Sequence, residues 1–281
     1  MKNINKNTIM PELGFGVYQV TDHNEAKQAV IDAVEQGYRL IDTAASYGNE
    51  RAVGEALQAV SVDRQDLFIT RKLWVEDAGY EAAKKAIQAS LDRLQLEYLD
   101  LYLIHQPYGD IFGAWKAMSE AKEAGLIKAI GVSNFSPAQI TNLAEFTGVK
   151  PEVNQIEVNP FNQNQSAVKY LQAYGVQVEA WVPFAEGKNG LFTNEVLSGI
   201  GQKYHKSVAQ VVLRWLLQSN IIPVSKSTKS ERMAQNIDVL DFELTTEDLE
   251  LIKTLDTDGS QFFSHEDPEM IKWMASRHLE Y

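Results

Sequence analysis

Eight times along this chain a short apolar, β-branched run gives way to a longer segment with the spacing of an amphipathic helix. The expected strands are Gly14–Tyr18, Arg39–Asp42, Leu67–Leu73, Tyr98–His105, Ala129–Ser133, Glu152–Val158, Gln177–Trp181 and Ile221–Ser225. Helical patterns follow at Glu25–Gln36, Glu50–Val60, Tyr80–Leu94, Gly113–Glu123, Pro137–Phe146, Gln165–Tyr174, Ser207–Gln218 and Ser230–Leu240. Parallel strands need crossover connections of about a dozen residues, and each helical segment supplies one. Eight such units make the number of a closed (β/α)8 barrel, although an open, doubly wound α/β sheet satisfies the same count. Two further segments, Asn194–Tyr204 and Thr246–Leu255 with the tail to Tyr281, read as additions. No Pro/Gly/Ser-rich linker interrupts the chain, so a single domain over 1–281 is expected.

Composition narrows the function classes. A net charge of −12 argues against a nucleic-acid backbone or an anionic membrane as partner. It leaves room for a small anionic ligand, because a few local cations outweigh a distant acidic surface. There is no cysteine, which removes disulfides and thiolate chemistry. No secretory signal follows Met1 and Lys2, and no apolar run approaches membrane-spanning length. A cytoplasmic protein is expected, and a monomer. The five histidines, at 23, 105, 205, 265 and 278, show no metal-ligand spacing.

The groups that carry chemistry cluster at strand ends. The second strand ends on Asp42, and Tyr47 lies in the loop before a helix whose N-cap is expected at Asn49. Lys72 ends the third strand with Arg71 as a second cation beside it, and His105 ends the fourth before Pro107. In a barrel these ends share one rim. A tyrosine loses its proton near pH 10. An ammonium about 4 Å away, at an effective dielectric near 20, favours the phenolate by about 4 kcal/mol. That draws Tyr47 towards neutrality, while Asp42 keeps Lys72 charged and in place. His105 is placed to orient a substrate oxygen. The set makes a proton donor for a developing alkoxide.

Seven stretches occur in order: Leu13-Gly14-Phe15-Gly16, Asp42 to Glu50, Lys72-Leu73-Trp74, Leu103-Ile104-His105-Gln106-Pro107, Ile130 to Phe135, Asn154-Gln155-Ile156-Glu157, and Lys226-Ser227 with Glu231-Arg232 and Asn236. On these the sequence resembles the aldo-keto reductase superfamily, and within it the bacterial branch of diketo-gluconate reductases and relatives of prostaglandin F synthase. The resemblance implies a closed TIM barrel with extra helices and a C-terminal loop over the mouth. It implies a tetrad of Asp42, Tyr47, Lys72 and His105, with Tyr47 as general acid, and hydride from a nicotinamide cofactor.

Gly14-Phe15-Gly16 lacks the third glycine of a dinucleotide fingerprint. The resemblance assigns the cofactor other residues: Gly16, Val17 and Tyr18; Ser133, Asn134 and Gln155 at the carboxamide; Trp181 stacked on the ring; and Val182, Pro183 and Phe184 along the pyrophosphate. Taken alone, Asn134 reads equally as a turn residue and Trp181 as a core aromatic. Lys226 and Arg232, with Ser227, flank the start of the last barrel helix, where helix N–H groups and two cations make a phosphate site. In the family that site holds the 2′-phosphate, so NADPH is the implied cofactor, with Gln235 and Asn236 at the adenine. Trp181 and Val182 stand where Tyr and Ser are usual, and Ser225 where Pro is typical. Tyr18, Trp74, His105 and Phe112, with Phe262, Phe263 and Trp273 of the tail, are expected to frame a pocket for a small-molecule carbonyl substrate. A nucleotide-binding subunit without turnover and a metal-dependent barrel hydrolase are the rival readings. The first is set against an intact tetrad, the second against the missing His-Glu-x-x-His.

Overall fold

Strands covered on both faces have no solvent side, and near-continuous apolar runs of that kind build parallel sheets. In the computed structural model, which describes residues 1–279, these runs pair in parallel and close on themselves. A short antiparallel hairpin, β1 (Lys2–Asn3) and β2 (Ile9–Met10), precedes the barrel. The barrel strands are β3 (Gly14–Gly16), β4 (Leu40–Asp42), β5 (Phe68–Leu73), β6 (Leu99–Ile104), β7 (Ile127–Ser133), β8 (Val153–Glu157), β9 (Gln177–Trp181) and β10 (Ile221–Ser225). Each pairs with the next, and β10 returns to β3 with Val224 opposite Gly14. Closure excludes the open sheet.

The crossover helices are α1 (His23–Glu35), α2 (Glu50–Ala59), α3 (Tyr80–Leu94), α4 (Ile111–Glu123), α5 (Pro137–Thr147) and α6 (Gln165–Ala173). An inserted helix, α7 (Glu195–Tyr204), precedes α8 (Val208–Gln218) and α9 (Ser230–Ile237). The additions α10 (Thr246–Lys253) and α11 (Pro268–Ala275) complete the described chain; Glu280 and Tyr281, part of the expected tail, lie outside it. Local chemistry fixes several starts. Ser136 and Gln139 form a capping box ahead of Pro137, and Ser207 and Gln210 do the same for α8. Strand β3 stops two residues before the expected Tyr18, ahead of the left-handed Gln19 (φ 62°). Helix α9 stops at Ile237, short of Leu240, where Asp238 leaves helical geometry.

Nothing in the sequence reading anticipated the hairpin. Its Met10 is fully buried against Leu40, Phe68, Leu101, Leu103, Val153 and Ile222. These come from five barrel strands, so the hairpin closes the lower end of the barrel. Glycine lets this interior fill: a Cβ on Gly131 would sit 2.5 Å from the Val153 carbonyl oxygen and 2.7 Å from Leu103 Cδ2.

Candidate active site

Side chains alternate across a strand, so residues two and four apart share a face. Asp42 follows Leu40 by two, Gln155 follows Val153 by two and Lys72 follows Phe68 by four, and all three point into the barrel above the apolar layer. Lys72 Nζ contacts Asp42 Oδ1 and donates to the Tyr47 hydroxyl at 3.1 Å. Asp42 Oδ2 accepts from Gln155 Nε2 at 2.9 Å. Burying an ion costs several kcal/mol unless its polar atoms are used, and here both carboxylate oxygens are. Burial works against the Lys72 charge, but Asp42 and the Tyr47 hydroxyl outweigh it and raise its pKa above the ordinary value. The ammonium is therefore permanent at neutral pH.

The same alternation corrects the reading of Arg71. It points away from Lys72, into the helix layer, where its Nε donates to Glu50 at 3.1 Å and its guanidinium contacts the Tyr102 hydroxyl. Glu50 also accepts from Arg93 Nε at 2.7 Å. Asn49 takes the expected N-cap position of α2, but its side chain makes no capping hydrogen bond. Its side-chain amide donates to the carbonyls of Val17 (2.9 Å) and Val20 (3.0 Å), tying the loop after β3 to the start of α2.

Tyr47 does not shift towards neutrality. Its hydroxyl lies deep in the groove, and desolvation, aided by the Asp42 charge, pushes it up to about 12 despite Lys72. The sequence-level sum omitted burial, which opposes the phenolate most strongly. His105 faces the same space, with its ring centroid 6.0 Å from Tyr47 and 5.5 Å from Trp74. Burial, with the Lys72 and Arg71 charges, holds its pKa well below the ordinary value, so the imidazole is neutral and can donate one hydrogen bond.

That depression has a stability consequence. An unfolded histidine takes up a proton near pH 6.5, whereas His105 in the fold does not, and burial holds His265 down at about 4. Unfolding therefore binds protons in acid, and stability is lost as pH falls below about 6.5. We expect Tm to drop between pH 7 and 5, and to drop less in a His105→Asn, His265→Asn double variant. Parallel curves for the two proteins would show that these rings are not the cause.

A groove of about 740 Å³ runs from Tyr47, Trp74 and His105 past Ser133, Asn134, Gln155 and Trp181 to Lys226 and Arg232. Asn134, left-handed at φ 65°, accepts from Trp181 Nε1 at 2.8 Å and donates to the His105 carbonyl at 3.1 Å. It thereby links the tops of β6, β7 and β9. The C-terminal tail is pinned at several places, among them the His265 carbonyl, which accepts from the Tyr108 hydroxyl at 2.7 Å. Ser260 Oγ and the Gln261 N–H both donate to Glu157 on β8, at 2.6 and 3.0 Å. Further on, Trp74 Nε1 donates to the Arg277 carbonyl at 3.2 Å.

Residues 12–257 match the model of the Aldo/keto reductase family. The chain belongs to that family. This aldo-keto reductase is 46% identical to the glyoxal reductase of Bacillus subtilis over 250 residues, covering 89% of this chain and 90% of that one. It is 43% identical to methylglyoxal reductase DkgA of Escherichia coli, covering 88% and 90%. A solved Bombyx mori aldo-keto reductase in complex with NADP superposes at a TM-score of 0.88, with 37% identity over 95% of each chain.

Not every expected residue of this aldo-keto reductase meets the groove. Gly16, Tyr18, Val182, Pro183 and Phe184 line it, as do Phe262, Phe263 and Trp273. Phe112 does not: it lies exposed in the first turn of α4, the helix capped by Asp110, and is not part of the groove wall. Val17 is buried in the core, while Ser227, Gln235 and Asn236 lie outside the groove lining. The Ser227 hydroxyl is used by the Lys229 N–H at 3.0 Å. The structure adds Gln19, Ser46, Glu186, Phe192, His265 and Arg277 to the walls. Ser46 falls inside the Asp42 to Glu50 stretch without being singled out by it; the others carry no motif and arrive from loops whose path the sequence pattern does not specify.

Proposed function

We propose that this chain reduces small aldehydes and ketones to alcohols with NADPH, reactive dicarbonyls such as glyoxal among them, and that Tyr47 is the general acid. The observation that carries this reading is the contact of the Tyr47 hydroxyl with Lys72, itself held by Asp42, at one end of a groove that ends on two cations.

The lining fits a dinucleotide: a flat indole at Trp181, the Gln155 carboxamide oxygen, which has no partner among the described residues, and Lys226 and Arg232 beside the N-terminus of α9. When bound, the nicotinamide supplies the hydride. The protein's part is to place and protonate. His105, neutral, donates to the substrate carbonyl oxygen and fixes its direction. As the carbonyl carbon gains hydride, negative charge collects on that oxygen, and the Tyr47 hydroxyl gives up its proton to it. Lys72 stabilises the phenolate left behind, and Asp42 holds Lys72 in reach. A phenol near 12 is still a far stronger acid than an alcohol, so the transfer runs downhill. The relative's name, glyoxal reductase, supports a small dicarbonyl as the first substrate to try. The aromatic walls at Tyr18, Trp74 and Phe263 favour larger apolar aldehydes as well.

Mixing the protein with NADPH and glyoxal, or an aromatic aldehyde, should give a decay of absorbance at the nicotinamide band; no decay with any carbonyl compound would defeat the reading. Arg232→Ala should weaken NADPH binding by roughly thirtyfold, the worth of a charge-assisted phosphate contact, and leave NADH binding nearly unchanged. An equal loss for both nucleotides would remove Arg232 from the phosphate site.

A further inference from the structure

Glu179 lies on β9 two residues before Trp181, so its side chain also enters the barrel, where it is fully buried. The proton-transfer chemistry gives it no task. Its neighbour does. Gln155 Nε2 donates to Asp42 Oδ2 at 2.9 Å and to Glu179 Oε2 at 2.8 Å. A carboxamide carries two hydrogens on nitrogen and none on oxygen. Two carboxyl groups on the same side therefore claim both donors and decide which way the amide faces. The atom left over is Gln155 Oε1, which has no partner among the described residues on a side chain that lines the groove.

We propose that Glu179 is a positioning residue: together with Asp42 it turns the Gln155 carbonyl oxygen outward, as the acceptor for the amide hydrogens of the nicotinamide carboxamide. The inference rests on the nicotinamide reading above. With Asp42 alone, one N–H is satisfied and the amide is free to pivot; with Glu179 present, a flipped amide would forfeit both donated bonds and set its oxygen against the Asp42 carboxylate. Burial, aided by the Asp42 charge, pushes Glu179 up to about 8, towards the neutral acid. Its Oε1 is buried without a partner, which a neutral acid tolerates better than a carboxylate.

The test compares binding of NADP+ and of its 3-acetylpyridine analogue, in which a methyl ketone replaces the carboxamide and no amide hydrogen remains. Quenching of tryptophan fluorescence follows both. The wild-type protein should bind NADP+ roughly tenfold more tightly than the analogue. Glu179→Met should erase most of that ratio by weakening NADP+ alone. Glu179→Gln, which retains an acceptor, should keep the ratio within about twofold of wild type. A purely structural role for Glu179 would weaken both ligands together. Equal wild-type affinities for the two nucleotides, or an unchanged ratio in Glu179→Met, would overturn the proposal while leaving the nicotinamide site in place. A wild-type protein that binds neither nucleotide would remove that site and the proposal with it.

Discussion

Tyr47→Phe is expected to lower the rate of carbonyl reduction by about a thousandfold, the usual scale of a lost general acid, with NADPH affinity near wild type. The substitution removes one oxygen and keeps the ring, which packs 5.0 Å from Tyr18. Lys72 loses one hydrogen bond but keeps Asp42, so the pair beneath the groove stays intact. The pH profile gives a second check. With Tyr47 near 12, the acid stays protonated across the neutral and mildly alkaline range, and its ionisation should not slow reduction below about pH 10. The reverse oxidation needs the phenolate and should rise with pH through the same range. Near-normal reduction by Tyr47→Phe would dismiss the acid role outright.

The largest stability loss is expected away from the groove, at Glu50. One oxygen of this buried carboxylate accepts from Arg71 on β5 and the other from Arg93 on α3, so it joins the barrel wall to two helices. Glu50→Leu takes the carboxylate from a fully buried guanidinium, a change that typically costs about 3–5 kcal/mol. Replacing both members of such a pair by apolar groups is often nearly neutral. The double variant Glu50→Leu, Arg71→Met should therefore recover much of the loss, since the partly solvated Arg93 also contacts the Ser90 hydroxyl at 3.4 Å. Denaturant midpoints would measure this. A single variant within about 1 kcal/mol of wild type would mean that Glu50 is not what compensates Arg71. Because Arg71 faces the helix layer, KM for substrate should hardly change in whatever folds.

Much of this molecule can be read from the chain because its signals are local. The apolar runs and their crossover helices are contiguous, and Asp42, Lys72 and His105 at or beside strand ends, with Tyr47 in the loop after β4, are brought to one rim by any parallel barrel. What escapes the sequence depends on which face a residue takes, on depth and on loop path. Arg71 and Lys72 are neighbours in the chain and opposed in space. Tyr47 has its cation as expected, but its burial outweighs that cation and no spacing rule records burial. Glu179 looks like any charged strand residue until closure of the barrel sets it beside Gln155 and Asp42. Phe112 and Arg277 show the same limit from opposite sides: one aromatic leaves the mouth with its helix, and one cation enters from a tail that carries no motif.

The anchors of the tail have a consequence for how such an enzyme changes over time. Between Gln261 and Arg277 the polypeptide crosses the entrance, and main-chain atoms of Gln261, His265 and Arg277 are each held by a hydrogen bond. The side chains of Phe262, Phe263, His265 and Trp273 line the groove from this stretch and do not supply those main-chain bonds, so they can be exchanged with the supports in place, whereas Met274 is buried against Ala45 and Trp74. Selectivity and reactivity occupy separable parts of one chain, and new preferences can evolve in the first while the second is inherited unaltered.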